Sequence, residues 1–382
     1  MKIVIAPDSF KESLSAPLVA QAIARGLRRT APHANIVCVP MADGGEGTVE
    51  AILAASGGER KCHTVQDALG RSIEAPWGWL PGNVAVIEMA CAAGLEHIAL
   101  QDRDPLRASS FGVGQLIHHA LNLGATQIVL GLGGSATNDA GAGMLQALGL
   151  QLLDAQGQEL PPGGAPLARL ARIDSSGLDP RLKEVKIIIA SDVNNPLCGS
   201  HGASAVFGPQ KGATPEYVQT LDDALGHFAN LCAQTLGYDR RDAPGSGAAG
   251  GLGFAAHMWM QSSFRPGVEV VAELGGLAHA IRDAQLVITG EGRMDAQTLH
   301  GKTPMGVAKI AKAADVPVIA IAGSLGPGYQ ALYDAGIVAA FSLVSGPTTL
   351  AQACSDAATL LEDRAQDILR LWLAAQRHTS KG

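Results

Sequence analysis

The chain has 382 residues, 47% of them hydrophobic, enough for a large buried core and more than one domain of ordinary size. Its formal net charge is −7 and its lysines and arginines are scattered rather than gathered into a stripe, so a nucleic-acid partner is not expected and a small ligand is. The six cysteines lie far apart without a C-x-x-C pair, no run of 18 uncharged apolar residues occurs, and Asp8 comes too early for a signal peptide; a cytoplasmic protein without zinc, disulfides or membrane contact is expected.

From the amino terminus, Lys2 to Ala6 reads as a buried strand, and Ser15-Ala16-Pro17 opens a helix with Val19, Ile23 and Leu27 on one face. Asn35 to Val39 reads as a second strand, followed by the loop Asp43-Gly44-Gly45-Glu46-Gly47-Thr48 and a helix from Val49. From about residue 60 the pattern alternates as antiparallel strands do, around a turn at Asp67 to Gly70. The middle holds a helix near 111–122, a strand over 126–131, a helix from about 138, strands over 147–153 and 185–190, and a helix near 215–236. Beyond about 284 strand and helix alternate again: Leu286 to Thr289, a helix opened by Thr303-Pro304, Val316 to Ala322, a helix near 327–335, Val338 to Val344 and a long final helix. The two chain ends therefore predict one discontinuous parallel-sheet α/β domain, Rossmann- or flavodoxin-like, from residues 1–60 and 284–382, with a mixed α/β domain inserted over 61–283.

The stretch Gly131-Leu132-Gly133-Gly134-Ser135-Ala136 follows a strand and precedes the expected helix, as in G-x-G-x-x-A, and Asp154 stands where a ribose-binding acid would. A nicotinamide-dependent dehydrogenase of a small hydroxy acid is one reading of it. Asn138 and Asp139 oppose a bare pyrophosphate at that helix start, unless a divalent cation intervenes. Asp154-Ala155-Gln156-Gly157 also looks like a hairpin turn. Glycines for close packing, with Asp139 facing the helix dipole, are the structural alternative.

Residues 296–303 form a weak P-loop likeness, with Ala296 for the first glycine and Lys302-Thr303 at its end; seven residues, 289–295, separate it from the apolar run before it. Glu291, Arg293, Asp295 and Lys302 nevertheless share a glycine-spaced segment at a strand's carboxyl end. If the first two strands are parallel, Asp8-Ser9-Phe10-Lys11 and the Asp43 loop open on one sheet edge; helix or turn capping would also explain their carboxylates. Ser191-Asp192-Val193-Asn194-Asn195-Pro196-Leu197 is either a set of Asx turns or a site, and Gly245 to Gly253 either a close-packed connection or a ligand loop. No G-x-S-x-G occurs, and of the histidines His300 alone falls in a candidate site.

These segments, in this order and together with Phe207 to Lys211, resemble those of bacterial glycerate kinases, the family that makes 2-phosphoglycerate; the likeness runs from Lys2 to about residue 375. The resemblance implies ATP- and Mg²⁺-dependent phosphorylation of D-glycerate on a two-domain enzyme, with small-molecule partners only and a homo-oligomer left open. Phosphoryl transfer needs held phosphates, charge neutralisation and a base. On that chemistry Gly133, Gly134, Ser135 and Lys302 are expected to hold nucleotide phosphates, with Asp139 near the metal. Asp192 or Asp295 is the expected base, Lys11 a clamp on the γ-phosphate, and Arg293, with Asp8, Asp43 and Glu291, the substrate site. A non-catalytic sugar-acid sensor would use the same residues.

Overall fold

The computed structural model describes residues 1–299 and 301–379. In chain order its strands are β1 (Lys2–Pro7), β2 (Asn35–Cys38), β3 (Glu59–Gln66), β4 (Ser72–Leu80), β5 (Val84–Glu88), β6 (Gln127–Gly131), β7 (Gln151–Leu153), β8 (Arg172–Asp174), β9 (Lys186–Ala190), β10 (Ser262–Arg265), β11 (Leu286–Met294), β12 (Val318–Leu325) and β13 (Ile337–Ser342). They fall into two compact units. The first combines Met1–Asp43, Glu50–Gly57 and the chain from Val268 onward; the second combines Gly44–Val49 with Gly58–Gly267.

In the first unit both chain ends build one parallel sheet in the order β13-β12-β11-β1-β2. Strands β1, β11 and β12 begin as continuous apolar runs because helices cover both sheet faces, and Ile3, Ile5, Leu286, Ile288, Val318 and Ile321 are buried. Strand β11 runs five residues past Thr289, where the sequence suggested a loop, pairing Glu291 with Ala322 and Arg293 with Ser324. Glycine permits this: a Cβ on Gly290 would lie 2.0 Å from the Ile321 carbonyl oxygen, and one on Gly323 2.4 Å from that of Gly292. Ser15 stands at the N-cap of the helix Ala16–Thr30, but its hydroxyl turns to Glu50 Oε1, 3.1 Å away, instead of capping the helix.

The second unit holds a six-stranded mixed sheet ordered β10-β9-β6-β5-β4-β3, parallel from β10 to β5 and antiparallel from β5 to β3. The helix expected from about 138 starts only at Ala142, because Ala140 (φ 51) and Gly141 (φ 72) are left-handed and end any right-handed turn there. The strand expected over 147–153 shrinks to β7, which pairs with β8 as a separate ribbon. Among the described residues no helix is long and apolar enough to cross a membrane, and the cysteines are free thiols.

The helix Ala16–Thr30 packs on the helix Ala357–Thr379, with Arg25 Nε 2.6 Å from Glu362 Oε1 and Arg29 NH1 2.9 Å from Asp363 Oδ1. Gly26 allows that contact, since a Cβ there would sit 2.0 Å from the Glu362 carbonyl oxygen. Alanine would ordinarily strengthen a helix by about 1 kcal/mol over glycine, but overpacking against rigid backbone costs about 1–3 kcal/mol. Gly26→Ala should therefore lower the urea midpoint, and an unchanged or raised midpoint would show that the two helices can part without cost.

Candidate active site

At the carboxyl ends of β1, β11 and β12 the first unit opens a cavity of about 540 Å³. This is the edge at which parallel sheets carry ligands, and the size suits a small molecule. Its polar lining brings together Asp8, Lys11, Asp43, Glu291, Arg293 and Lys302.

Asp8 is carried there by β1: its N–H donates to the Gly290 carbonyl at 2.8 Å, extending the pairing with β11 by one residue. Its Oδ1 accepts from the Ser9 N–H at 2.6 Å and the Ser9 hydroxyl at 3.3 Å, and its Oδ2 accepts from the Thr303 hydroxyl. Burial pushes the Asp8 pKa up to about 6, against the Thr303 hydrogen bond and with help from the nearby Asp43 charge.

Glu291 and Arg293 are two apart on the extended part of β11 and so project to one face. Glu291 Oε1 accepts from the Thr298 hydroxyl at 2.8 Å and lies 3.7 Å from Lys302 Nζ. Burial raises its pKa to about 7; the Thr298 hydrogen bond and the Lys302 charge oppose the rise, and Asp8 adds to it. Arg293 gives its Nε to Asp295 Oδ2 at 3.2 Å and is otherwise largely exposed. Asp295 also accepts from the Gln297 N–H at 2.9 Å, so it organises the turn Ala296–Leu299 and orients Arg293. That turn stands between β11 and the helix Thr303–Ala313, and the segment does not wrap as a P-loop leaving its strand directly. Lys302 occupies the helix N-cap, while His300 lies outside the described residues. Lys11 is exposed on the turn held by Phe10 and Leu14, whose backbones exchange hydrogen bonds of 2.8 and 2.9 Å.

In the second unit Gly133, Gly134 and Ser135 lie in the loop between β6 and the helix Ala142–Ala147, so they do not form the helix N-terminus expected to hold phosphates. Packing explains two of the glycines in this stretch: a Cβ on Gly131 would be 2.5 Å from the Gly44 carbonyl oxygen, and one on Gly133 2.6 Å from Gly45 Cα. Buried Lys211 pins the loop, its Nζ donating to Ser135 Oγ at 2.9 Å and to the Thr137 carbonyl at 2.6 Å. Burial brings its pKa down to about 7, with Asp139 opposing.

Asp139, expected beside a metal, is fully buried as a local cap. Its Oδ2 accepts from the Ser110 N–H and hydroxyl, both at 2.8 Å, and from the Gly143 N–H at 3.2 Å; Oδ1 accepts from the Gly141 N–H at 3.1 Å. Burial raises its pKa and those bonds lower it, the compensation a buried carboxylate requires. Asp192 is exposed in the segment after β9. Asp154 accepts from the Gln156 and Gln158 N–H groups at 2.9 Å within a turn, and β7 does not join the sheet beside β6, so the dinucleotide-binding arrangement does not form. The Gly245 to Gly253 stretch is close-packed: a Cβ on Gly250 would lie 1.9 Å from the Thr137 carbonyl oxygen.

Sequence reasoning missed Thr298 and Thr303, which hydrogen-bond the two cavity carboxylates, and Lys211, which it quoted without a role. It also missed Glu88, which ends β5 and accepts from the Val49 N–H at 2.6 Å and the Gly47 N–H at 3.3 Å, holding the glycine loop to the start of the helix Thr48–Ser56. A charged residue closing an otherwise apolar strand was the available signal.

The glycerate kinase family model matches residues 3–373. The chain is 52% identical over 368 residues to a glycerate kinase of Halalkalibacterium halodurans, covering 96% of this chain and 97% of that protein. It is 51% identical over 354 residues to the glycerate 2-kinase of Escherichia coli, covering 92% and 93%. A crystal structure of a protein from Salmonella typhimurium LT2, described as a glycerate kinase 2, superposes with a TM-score of 0.89 at 49% identity over 99% of each chain.

A carboxyl whose pKa rises on folding keeps a proton that the unfolded chain has released. Stability from Glu291 is therefore fully present below pH 4.5 and falls as pH rises to about 7. Glu291→Gln should gain on the order of 2 kcal/mol over wild type at pH 8, with the gain fading towards pH 4. Urea midpoints across that range test this; a difference independent of pH would mean that Glu291 does not titrate as its burial requires.

Proposed function

The chain belongs to the glycerate kinase family, and from that premise we propose that it phosphorylates the 2-hydroxyl of D-glycerate with ATP and Mg²⁺, releasing 2-phosphoglycerate and ADP. The observation that carries the reading is the cavity in the first unit, which sets four carboxylates (Asp8, Glu12, Asp43 and Glu291) and three cations (Lys11, Arg293 and Lys302) at the carboxyl edge of a parallel sheet. Both substrates are anions that must meet in spite of their charge, so cations have to hold them and a carboxylate has to take a proton.

The acidic residues fit magnesium in the manner usual for nucleotide enzymes. Among the described residues no three His, Cys, Asp or Glu side chains converge as a ready-made cage. Magnesium commonly takes one or two carboxylates together with substrate phosphates and water, and Asp8 and Asp43 would supply them. When bound, the ion offsets charge on the phosphate oxygens. Lys11 and Lys302 hold the phosphates. Arg293, with Nε on Asp295, presents its terminal N–H groups to the glycerate carboxylate as a fork.

Glu291 is the proposed base, in place of Asp192 or Asp295. Its Oε1 is engaged by Thr298 and Lys302, and a pKa of about 7 lets Oε2 receive the 2-hydroxyl proton near neutral pH. The hydroxyl oxygen attacks the γ-phosphorus in line as the bond to the bridging oxygen breaks, and ADP leaves. Asp295, tied to Arg293 and its own turn, orients the fork.

A coupled ADP-release assay over small hydroxy acids should give turnover with D-glycerate, and NMR should place phosphorus on carbon 2. Absence of ADP release with glycerate would end the kinase reading for this chain. Glu291→Gln should lower kcat by at least about a hundredfold, while Asp192→Asn keeps the wild-type pH profile; the reverse result would move the base to Asp192. Arg293→Lys should raise the KM for D-glycerate about tenfold through loss of the two-point contact, and an unchanged KM would remove Arg293 from that role.

A further inference from the structure

The same cavity has a second chemical character. Where the chain runs from Leu343 to Ala357 its lining is apolar: Leu343, Leu350, Ala353, Cys354 and Ala357. Leu350 opens the short helix Leu350–Ser355 with 75% of its surface exposed, although it borders a cavity whose other lining is largely charged. The helix is held in place, since the Thr349 hydroxyl accepts from the Gln352 N–H at 3.2 Å and the Ser13 hydroxyl donates to the Cys354 carbonyl at 2.8 Å. The second bond ties this apolar stretch to the turn that carries Lys11. Polar and apolar linings are thus parts of one braced structure.

Glycerate has an oxygen on every carbon and no apolar face, so it gives such a lining nothing to cover. A nucleotide has both characters, a flat apolar base at one end and a polyanion at the other. We propose that Leu343, Leu350, Ala353 and Cys354 form the subsite for the adenine ring of ATP, with the phosphates directed towards Lys11 and Lys302. The assignment rests on the kinase reading for the identity of the nucleotide but not on turnover. Base recognition here is by apolar contact, so the subsite should discriminate weakly among purines and strongly against a polyphosphate lacking a base.

Cys354 reports directly on occupancy. Full-length protein would be alkylated with N-ethylmaleimide and each cysteine followed by peptide mass spectrometry. ADP without glycerate should slow labelling of Cys354 about tenfold while leaving exposed Cys62 unaffected, whereas tripolyphosphate or D-glycerate should leave Cys354 labelling unchanged. Leu350→Asp, a change at an exposed position, should raise the KM for ATP about tenfold and move the KM for D-glycerate less than about twofold. Protection by glycerate but not by ADP, or an ATP KM unmoved by Leu350→Asp, overturns the subsite. Protection by ADP in a protein that releases none from glycerate would keep the subsite and reject the proposed reaction.

Discussion

The pairing of β1 with β11 is the constraint on which the cavity depends. It sets Ile3 beside Leu286 and ends with Pro7 beside Gly290, after which the Asp8 N–H bonds the Gly290 carbonyl. Residues about 280 apart in the chain become neighbours, so Asp8 and Glu291 sense each other's charge and Thr303 reaches Asp8. Such a contact closes a long loop before it returns any energy, which makes it slow to form. The buried apolar runs on both strands supply the driving force, and the charged ends are carried along.

Those ends are held at some electrostatic cost. Asp8 and Glu291 are both pushed towards neutrality by burial, and each receives a threonine hydroxyl that restores part of what water would have provided. The cations Lys11, Arg293 and Lys302 remain partly or largely in solvent. This asymmetry suits a site for anions, because exposed cations attract ligands over distance while desolvated Glu291, with a pKa of about 7, can exchange a proton near neutral pH. A bound divalent cation would shift the balance back towards ionised carboxylates, whereas polyphosphate oxygens without one would oppose it.

The second unit spends its buried charge differently. Lys211 and Asp139 are both fully enclosed, but each finds hydrogen-bond partners in its own surroundings: Lys211 on Ser135 and Thr137, Asp139 on Ser110, Gly141 and Gly143. Glycine makes room for these contacts. The left-handed turn at Ala140 and Gly141 brings the Gly141 N–H to Asp139, and Gly250 lets another loop touch Thr137. A glycine run that reads as a ligand cradle is, over much of its length, the place where backbones cross.

By itself the sequence determined the order and kind of most elements and the two-ended parallel sheet, because apolar period and turn residues are local properties that survive in most folded contexts. It also marked Asp8, Lys11, Asp43, Glu291, Arg293 and Lys302 as candidates, since both signs of charge recur in glycine-spaced segments at strand ends, although capping explains such carboxylates equally well, as Asp139 shows. Tertiary structure decided the rest. Only strand pairing extended β11 through Glu291 and Arg293, only two left-handed residues moved the helix start from 138 to Ala142, and only burial made Asp139 a cap, with hydrogen-bond donors converging on it from Ser110 as well as its own turn. Roles of this kind depend on desolvation and on partners far away in the chain, and neither quantity is written in any short stretch of residues.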